Sequence, residues 1–141
     1  MSLFKWSSDY SVYLPEIDAE HRELYRLGNE FHKALLAGTS VEQLNVLVAN
    51  LMAAEEQHFR HEERLMKAMH YQGLAWHKKQ HDAARKRSKE LAKRVAEGDA
   101  NASADVLKFL SQWLTDHITV ADRMMGASLR NYLCFNTSLA S

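Results

Sequence analysis

The chain has 141 residues, 46% hydrophobic, 9% aromatic and 26% charged, which suits one domain with room for an apolar core. Eighteen basic and eighteen acidic residues cancel, and no basic patch or polybasic run points to nucleic acid or a membrane surface. No signal peptide is evident, no apolar run approaches the ~20 residues of a bilayer span, and Cys134 has no disulfide partner, so a reducing, cytoplasmic setting is expected.

Residues 1–15 contain Trp6, Tyr10, Tyr13 and the only proline, Pro15, and read as an irregular arm packed on the domain by its aromatics. From 16 to 37 the pattern is helical, because Ile17, His21, Leu24, Gly28, Phe31 and Leu35 step by four and three onto one face. Gly38-Thr39-Ser40 stops this helix and offers an N-cap for the next. The second helix is expected over 41–69, with Leu44, Val48, Leu51, Glu55, His58, Glu62, Leu65 and Met69 inward. Tyr71-Gln72-Gly73 breaks it. The third, over 74–96, turns Leu74, His77, His81, Ala84, Ser88, Leu91 and Val95 to one side. After the turn at Gly98-Asp99, a fourth helix over about 102–130 carries Val106, Leu110, Trp113, His117, Val120 and Met124 inward. It ends between Gly126 and Leu133, and residues 134–141 read as a short polar tail. Strand signals are absent from the sequence. The expected architecture is all-α, an antiparallel up-down-up-down four-helix bundle with an N-terminal arm, forming one domain.

Eight histidines are many for this length. Five of them, His21, His58, His77, His81 and His117, fall on the apolar stripes of four different helices. A buried imidazole without a partner costs roughly 1–3 kcal/mol, so five such groups at one level of a bundle call for a metal. His58 and Glu62 are four apart, as are His77 and His81, so each pair faces one way. Asp122 lies five beyond His117, which rotates it away in a straight α-helix. Both can be ligands only if the helix is distorted there, for instance by a π-type turn. The remaining histidines carry a plainer reading: His61 and His70 are expected in solvent and His32 at the periphery. Glu63 and Asp82 adjoin ligand positions and are expected at the surface or behind the ligands. Asp18 and Glu20 precede His21, with Asp18 a candidate cap.

Five imidazoles and two carboxylates exceed the four ligands one zinc normally takes. They suit two first-row ions bridged by carboxylates, with iron, manganese or zinc favoured over copper(I). Ferritin-like di-iron oxidases draw on four glutamates. A site richer in neutral ligands stabilises the reduced pair and tilts the reading toward reversible binding.

The pieces IDAEH at 17–21, HFRHEE at 58–63, HKKQHD at 77–82 and HITVAD at 117–122 resemble the hemerythrins, specifically the single-domain bacterial type. The resemblance covers nearly all of residues 5–130. It implies two iron ions with an oxo or hydroxo bridge, one bound by His77, His81 and His117 and the other by His21 and His58. Glu62 and Asp122 would bridge them, leaving one open position for O2. It also implies an apolar O2 pocket lined by Leu24, Phe59, Trp113, Leu114 and Ile118. The expected function is reversible O2 binding as a carrier, store or sensor, and not catalysis. The alternatives are a di-iron redox enzyme acting on peroxide or nitric oxide, an O2-responsive module with a separate protein partner, and a structural metal site without gas chemistry.

Overall fold

The computed structural model describes residues 2–140, with side-chain surroundings described through 134. Ser141 of the expected tail lies outside the described residues. Helix α1 spans Pro15–Leu36, α2 Val41–Ala68, α3 Leu74–Ala96 and α4 Ala102–Gln112. The backbone then continues as a π-helical segment, Trp113–Asp122, and returns to α-helix in α5, Arg123–Ala140. Consecutive helices pack on each other and α1 meets α4, which closes a four-helix bundle.

Local chemistry sets these ends. Pro15 opens α1, where its missing N–H costs nothing. The Ser40 hydroxyl accepts from the Gln43 N–H at 3.3 Å and caps α2. Gly38 and Gly98 follow α1 and α3 with φ of 70° and 74°, the left-handed conformation that ends a helix and that glycine adopts without strain. The fourth helix does not stop between Gly126 and Leu133: the α5 backbone runs on to Ala140, through most of the expected tail.

The inward stripes of α1, α2 and α3 agree with the periodicity for most positions. Ile17, Leu24, Phe31, Val48, Leu51, Ala84, Leu91 and Val95 are buried. Toward the end of α2 the fully buried residue is Met66, with Leu65 and Met69 only partly covered. The last helix differs. Val120 and Met124, expected inside, are 53% and 55% exposed, while Ala121, Asp122, Met125 and Leu129 are buried. The π segment explains this shift. Its hydrogen bonds reach five residues back, so it absorbs one extra residue and every later inward position arrives one place late.

The arm is held by apolar and polar contacts together. Asp18 is not a helix cap. Its carboxylate accepts from the Ser11 hydroxyl at 2.6 Å and the Val12 N–H at 2.9 Å. The Asn29 side chain pairs with both backbone groups of buried Phe4, at 2.8 and 2.9 Å. Trp6 and Tyr10 pack on the core, but Tyr13 is 67% exposed. It has a φ of 60°, with the Arg130 guanidinium over its ring.

Two apolar clusters result. The larger holds Leu24, Phe31, Val48, Leu51, Leu91, Val106, Leu110, Leu114 and Ile118. The smaller, at the other end of α2, holds Met66, Met125 and Leu129. On α2 the layer of buried polar side chains lies between them: Glu55, His58 and Glu62 follow Leu51 and precede Met66.

Candidate metal centre

Helices α1, α2 and α3 and the π-helical segment each contribute to this layer. The seven expected donors, His21, His58, Glu62, His77, His81, His117 and Asp122, are all buried, with Glu62, His21, His77, His81 and Asp122 fully so. They fall into two groups whose donor atoms lie within 4.8 Å of one another. One comprises His77, His81 and His117; the other comprises His21 and His58; Glu62 and Asp122 belong to both.

The two carboxylates divide their oxygens between the groups. Asp122 Oδ1 lies 2.9 Å from His77 Nε2 and 2.8 Å from His117 Nε2, while Oδ2 lies 3.0 Å from His21 Nε2. Glu62 Oε1 lies 3.1 Å from His81 Nε2 and 3.5 Å from His77 Nε2. Its Oε2 lies 3.4 Å from His58 Nε2 and 3.8 Å from His21 Nε2. Asp122 reaches His117 because the segment between them is π-helical. In an α-helix five residues turn the side chain about 140° away; with five-residue hydrogen bonds they span close to one turn.

Hydrogen bonds behind the histidines fix which ring nitrogen faces the centre. His58 Nδ1 bonds to Glu20 at 2.7 Å, His81 Nδ1 to Glu63 at 2.7 Å, and His117 Nδ1 to Gln80 at 2.8 Å. A neutral imidazole that donates from Nδ1 presents only a lone pair at Nε2. The Nε2 lone pairs of His81 and His117 therefore face carboxylate oxygens that are also lone-pair donors. Consistent with this, His81 Nε2, both Glu62 oxygens and both Asp122 oxygens are buried without a hydrogen-bond partner. Buried polar atoms are rarely left so. Cations between them satisfy all of these atoms, and imidazole plus carboxylate is a donor set for iron.

The charges agree. Burial pushes His58 and His77 down, but the Glu62 charge and the Glu20 hydrogen bond outweigh it at His58, and Asp122 and Glu62 at His77, raising both to about 9. Burial and the Asp122 charge push Glu62 up, yet the histidines hold it at about 2. They hold Asp122 well below the usual carboxylate range in the same way. Protons and cations compete for the same lone pairs, so metal affinity rises with pH.

Leu24, Phe59, Leu114 and Ile118 are buried beside this layer, and Trp113 is partly buried. Phe59 stacks on His81 at 4.2 Å and 14°, and Trp113 on His117 at 3.9 Å and 13°.

Comparison with known proteins agrees with this geometry. The sequence model of the Hemerythrin HHE cation binding domain matches residues 13–129. The chain belongs to the hemerythrin family. It is 32% identical over 117 residues to the bacteriohemerythrin of Aquifex aeolicus, covering 80% of this chain and 87% of that relative. The bacteriohemerythrin of Methylococcus capsulatus is 27% identical over 133 residues, covering 92% of this chain and 98% of the relative. A crystal structure of wild-type hemerythrin superposes with a TM-score of 0.83 at 25% identity, covering 90% of this chain and 98% of that one.

Beyond the seven donors, this hemerythrin contains groups that the sequence reading passed over. His61 is only partly solvated, its side chain 19% exposed. Its Nδ1 meets the second Glu20 oxygen at 2.7 Å, and its Nε2 lies 3.5 Å from Glu16. Glu20 thus joins a ligand histidine to a second one nearer the surface. Gln80 gave no signal, since glutamine on a helix is ordinary. Glu63 stands behind His81, as one of its two expected placements allows, whereas Asp82 is a surface group paired with Lys78 and Arg85. His70 is exposed, as expected.

Proposed function

We propose that His77, His81 and His117 hold one iron, that His21 and His58 hold the other, and that Glu62 and Asp122 bridge the two. The observation that carries this reading is the division of the carboxylate oxygens. Each carboxylate turns one oxygen to the three-histidine group and the other to the two-histidine group. A carboxylate serving a single ion has no reason to be so placed.

The protein is a hemerythrin-family O2-binding protein with a di-iron centre. When bound, the iron pair supplies the electrons that O2 takes up reversibly. With three histidines in one group and two in the other, the group of His21 and His58 would be the one with room for O2 when iron is bound. The chain's own part is to keep water and protons away. Leu24, Phe59, Leu114 and Ile118, each at most 2% exposed, form an apolar wall with Trp113. A dry, low-dielectric setting opposes the charge separation by which O2 leaves as a reduced product. We read the chain as a carrier, store or sensor of O2 and not as an enzyme, because the side chains expected to line the O2 pocket, Leu24, Phe59, Trp113, Leu114 and Ile118, are all apolar or aromatic and none of them is an acid or a base. Among the described residues no helix is long and apolar enough to cross a membrane, and the lone exposed Cys134 fits a reducing compartment such as the cytoplasm.

The experiment is an absorption spectrum of the reduced protein, first without air and then with it, alongside an iron assay. Two irons per chain and a visible band that appears with O2 and disappears on its removal are expected. A single metal per chain, or a spectrum indifferent to O2, would contradict the reading.

A further inference from the structure

Arg85 on α3 is bound on three sides. Its Nε donates to Glu56 at 2.7 Å, its Nη1 to Asp82 at 2.8 Å, and its Nη2 to Glu63, with the shorter contact at 3.0 Å. Its guanidinium carbon also lies 5.2 Å from the centre of the Phe59 ring. Both Glu63 and Phe59 lead to the same imidazole. Glu63 accepts the His81 Nδ1–H at 2.7 Å, and Phe59 stacks on the His81 ring at 4.2 Å. The Arg85 and Glu63 side chains are only 20% and 17% exposed, so this contact is partly shielded from the screening that weakens surface pairs.

We propose that Arg85 is a positioning residue for His81 and for the Phe59 wall of the O2 pocket, and that its charge moderates the pull of Glu63 on the His81 proton. The inference rests on the di-iron reading above and adds to it a residue outside the donor set. A carboxylate behind a ligand histidine makes that histidine a stronger donor, which favours the oxidised metal. Glu63 alone would act strongly in this sense. The guanidinium keeps its charge at every physiological pH and draws part of the Glu63 charge to itself. Removing it strengthens the pull on His81 and also removes a nearby positive charge. Both effects favour ferric over ferrous iron. Removing it also frees Phe59 and Glu63 to move, which loosens His81.

The test compares the iron-loaded wild type with Arg85→Met, Arg85→Lys and Glu56→Gln. The last removes the charge of one Arg85 partner, while keeping an acceptor there, and leaves the Glu63 arm in place. Midpoint potential, rate of iron loss to a chelator and melting temperature are measured for each. In Arg85→Met the oxidation equilibrium moves about tenfold toward ferric, about 59 mV for a one-electron couple, and iron loss quickens several-fold. Arg85→Lys recovers most of the potential, since the charge returns, but less of the iron retention, since the planar fork does not. Glu56→Gln stays near wild type in both. A wild-type potential and iron-loss rate in Arg85→Met overturns the proposal, and so does a lowered melting temperature alone. Should Arg85→Met fail to fold, Arg85→Lys decides: iron retention equal to wild type overturns the proposal, and a faster loss supports it. A wild type without a reversible O2 band would refute the functional reading while leaving this comparison of potential and retention intact.

Discussion

Glu55 allows a sharp test of how the bundle treats charge. It is 6% exposed, and its Oε2 accepts from the Ser88 hydroxyl at 2.8 Å. Burial pushes its carboxyl up to about 7 from 4.5, against the smaller opposing effect of the Ser88 bond. That difference corresponds to about 3 kcal/mol of preference for the protonated form. Unfolded, Glu55 releases its proton near the ordinary value; folded, it keeps it to about 7. Folding therefore takes up a proton in this interval. The stability contribution is fully present below the ordinary carboxylate range and is lost as pH rises toward 7. Glu55→Gln keeps an acceptor for Ser88 and cannot ionise. Urea unfolding of variant and wild type, each iron-loaded, is compared at pH 5 and pH 8. The stability of the variant relative to wild type is expected to grow by about 2–3 kcal/mol between the two. Taking the difference between proteins removes the pH dependence they share, including that of metal binding. A relative stability that stays constant across this range would refute the reasoning. So would infrared detection of an ionised Glu55 carboxylate at pH 5.

Other outcomes follow from the site and its surroundings. His77→Ala removes a donor that sits within 3.5 Å of both carboxylates, and its iron content should fall below that of wild type; full retention would undo the ligand assignment. Leu114→Ala should keep its iron but oxidise several-fold faster in air, as water reaches the layer, and should lose roughly 2–5 kcal/mol of stability to the cavity. Deletion of the exposed Val120 changes the spacing of His117 and Asp122 from five to four. That is the natural alignment of an α-helix, so iron content should survive and the segment should turn α-helical; loss of iron would show that the π geometry itself is required.

Much of this was readable from periodicity because three of the helices are regular. On α1, α2 and α3 a step of three or four keeps a residue on one face, and a histidine among leucines stood out as buried. The last helix was readable only in part. The five-residue step from His117 to Asp122 flagged a π-type turn, yet the stripe beyond it was still read with α-helical steps. One absorbed residue moved the inward face from Val120 and Met124 to Ala121 and Met125. The groups behind the ligands were harder. Glu20 and His61 are 41 residues apart and meet across two helices, and Arg85 reaches Glu63 over 22. Such pairings depend on helix rotation and crossing, which periodicity leaves open. Asp18 failed as a cap for a similar reason: a residue near a helix start can bond forward to its own helix or, as here, back to the arm.

Crystals of the iron-loaded protein, measured with anomalous scattering at the iron edge, test the central claim most directly. Two iron peaks within the buried layer are expected, one beside His77, His81 and His117 and the other beside His21 and His58, with Glu62 and Asp122 reaching both. One peak, or iron anywhere else on the chain, would contradict it.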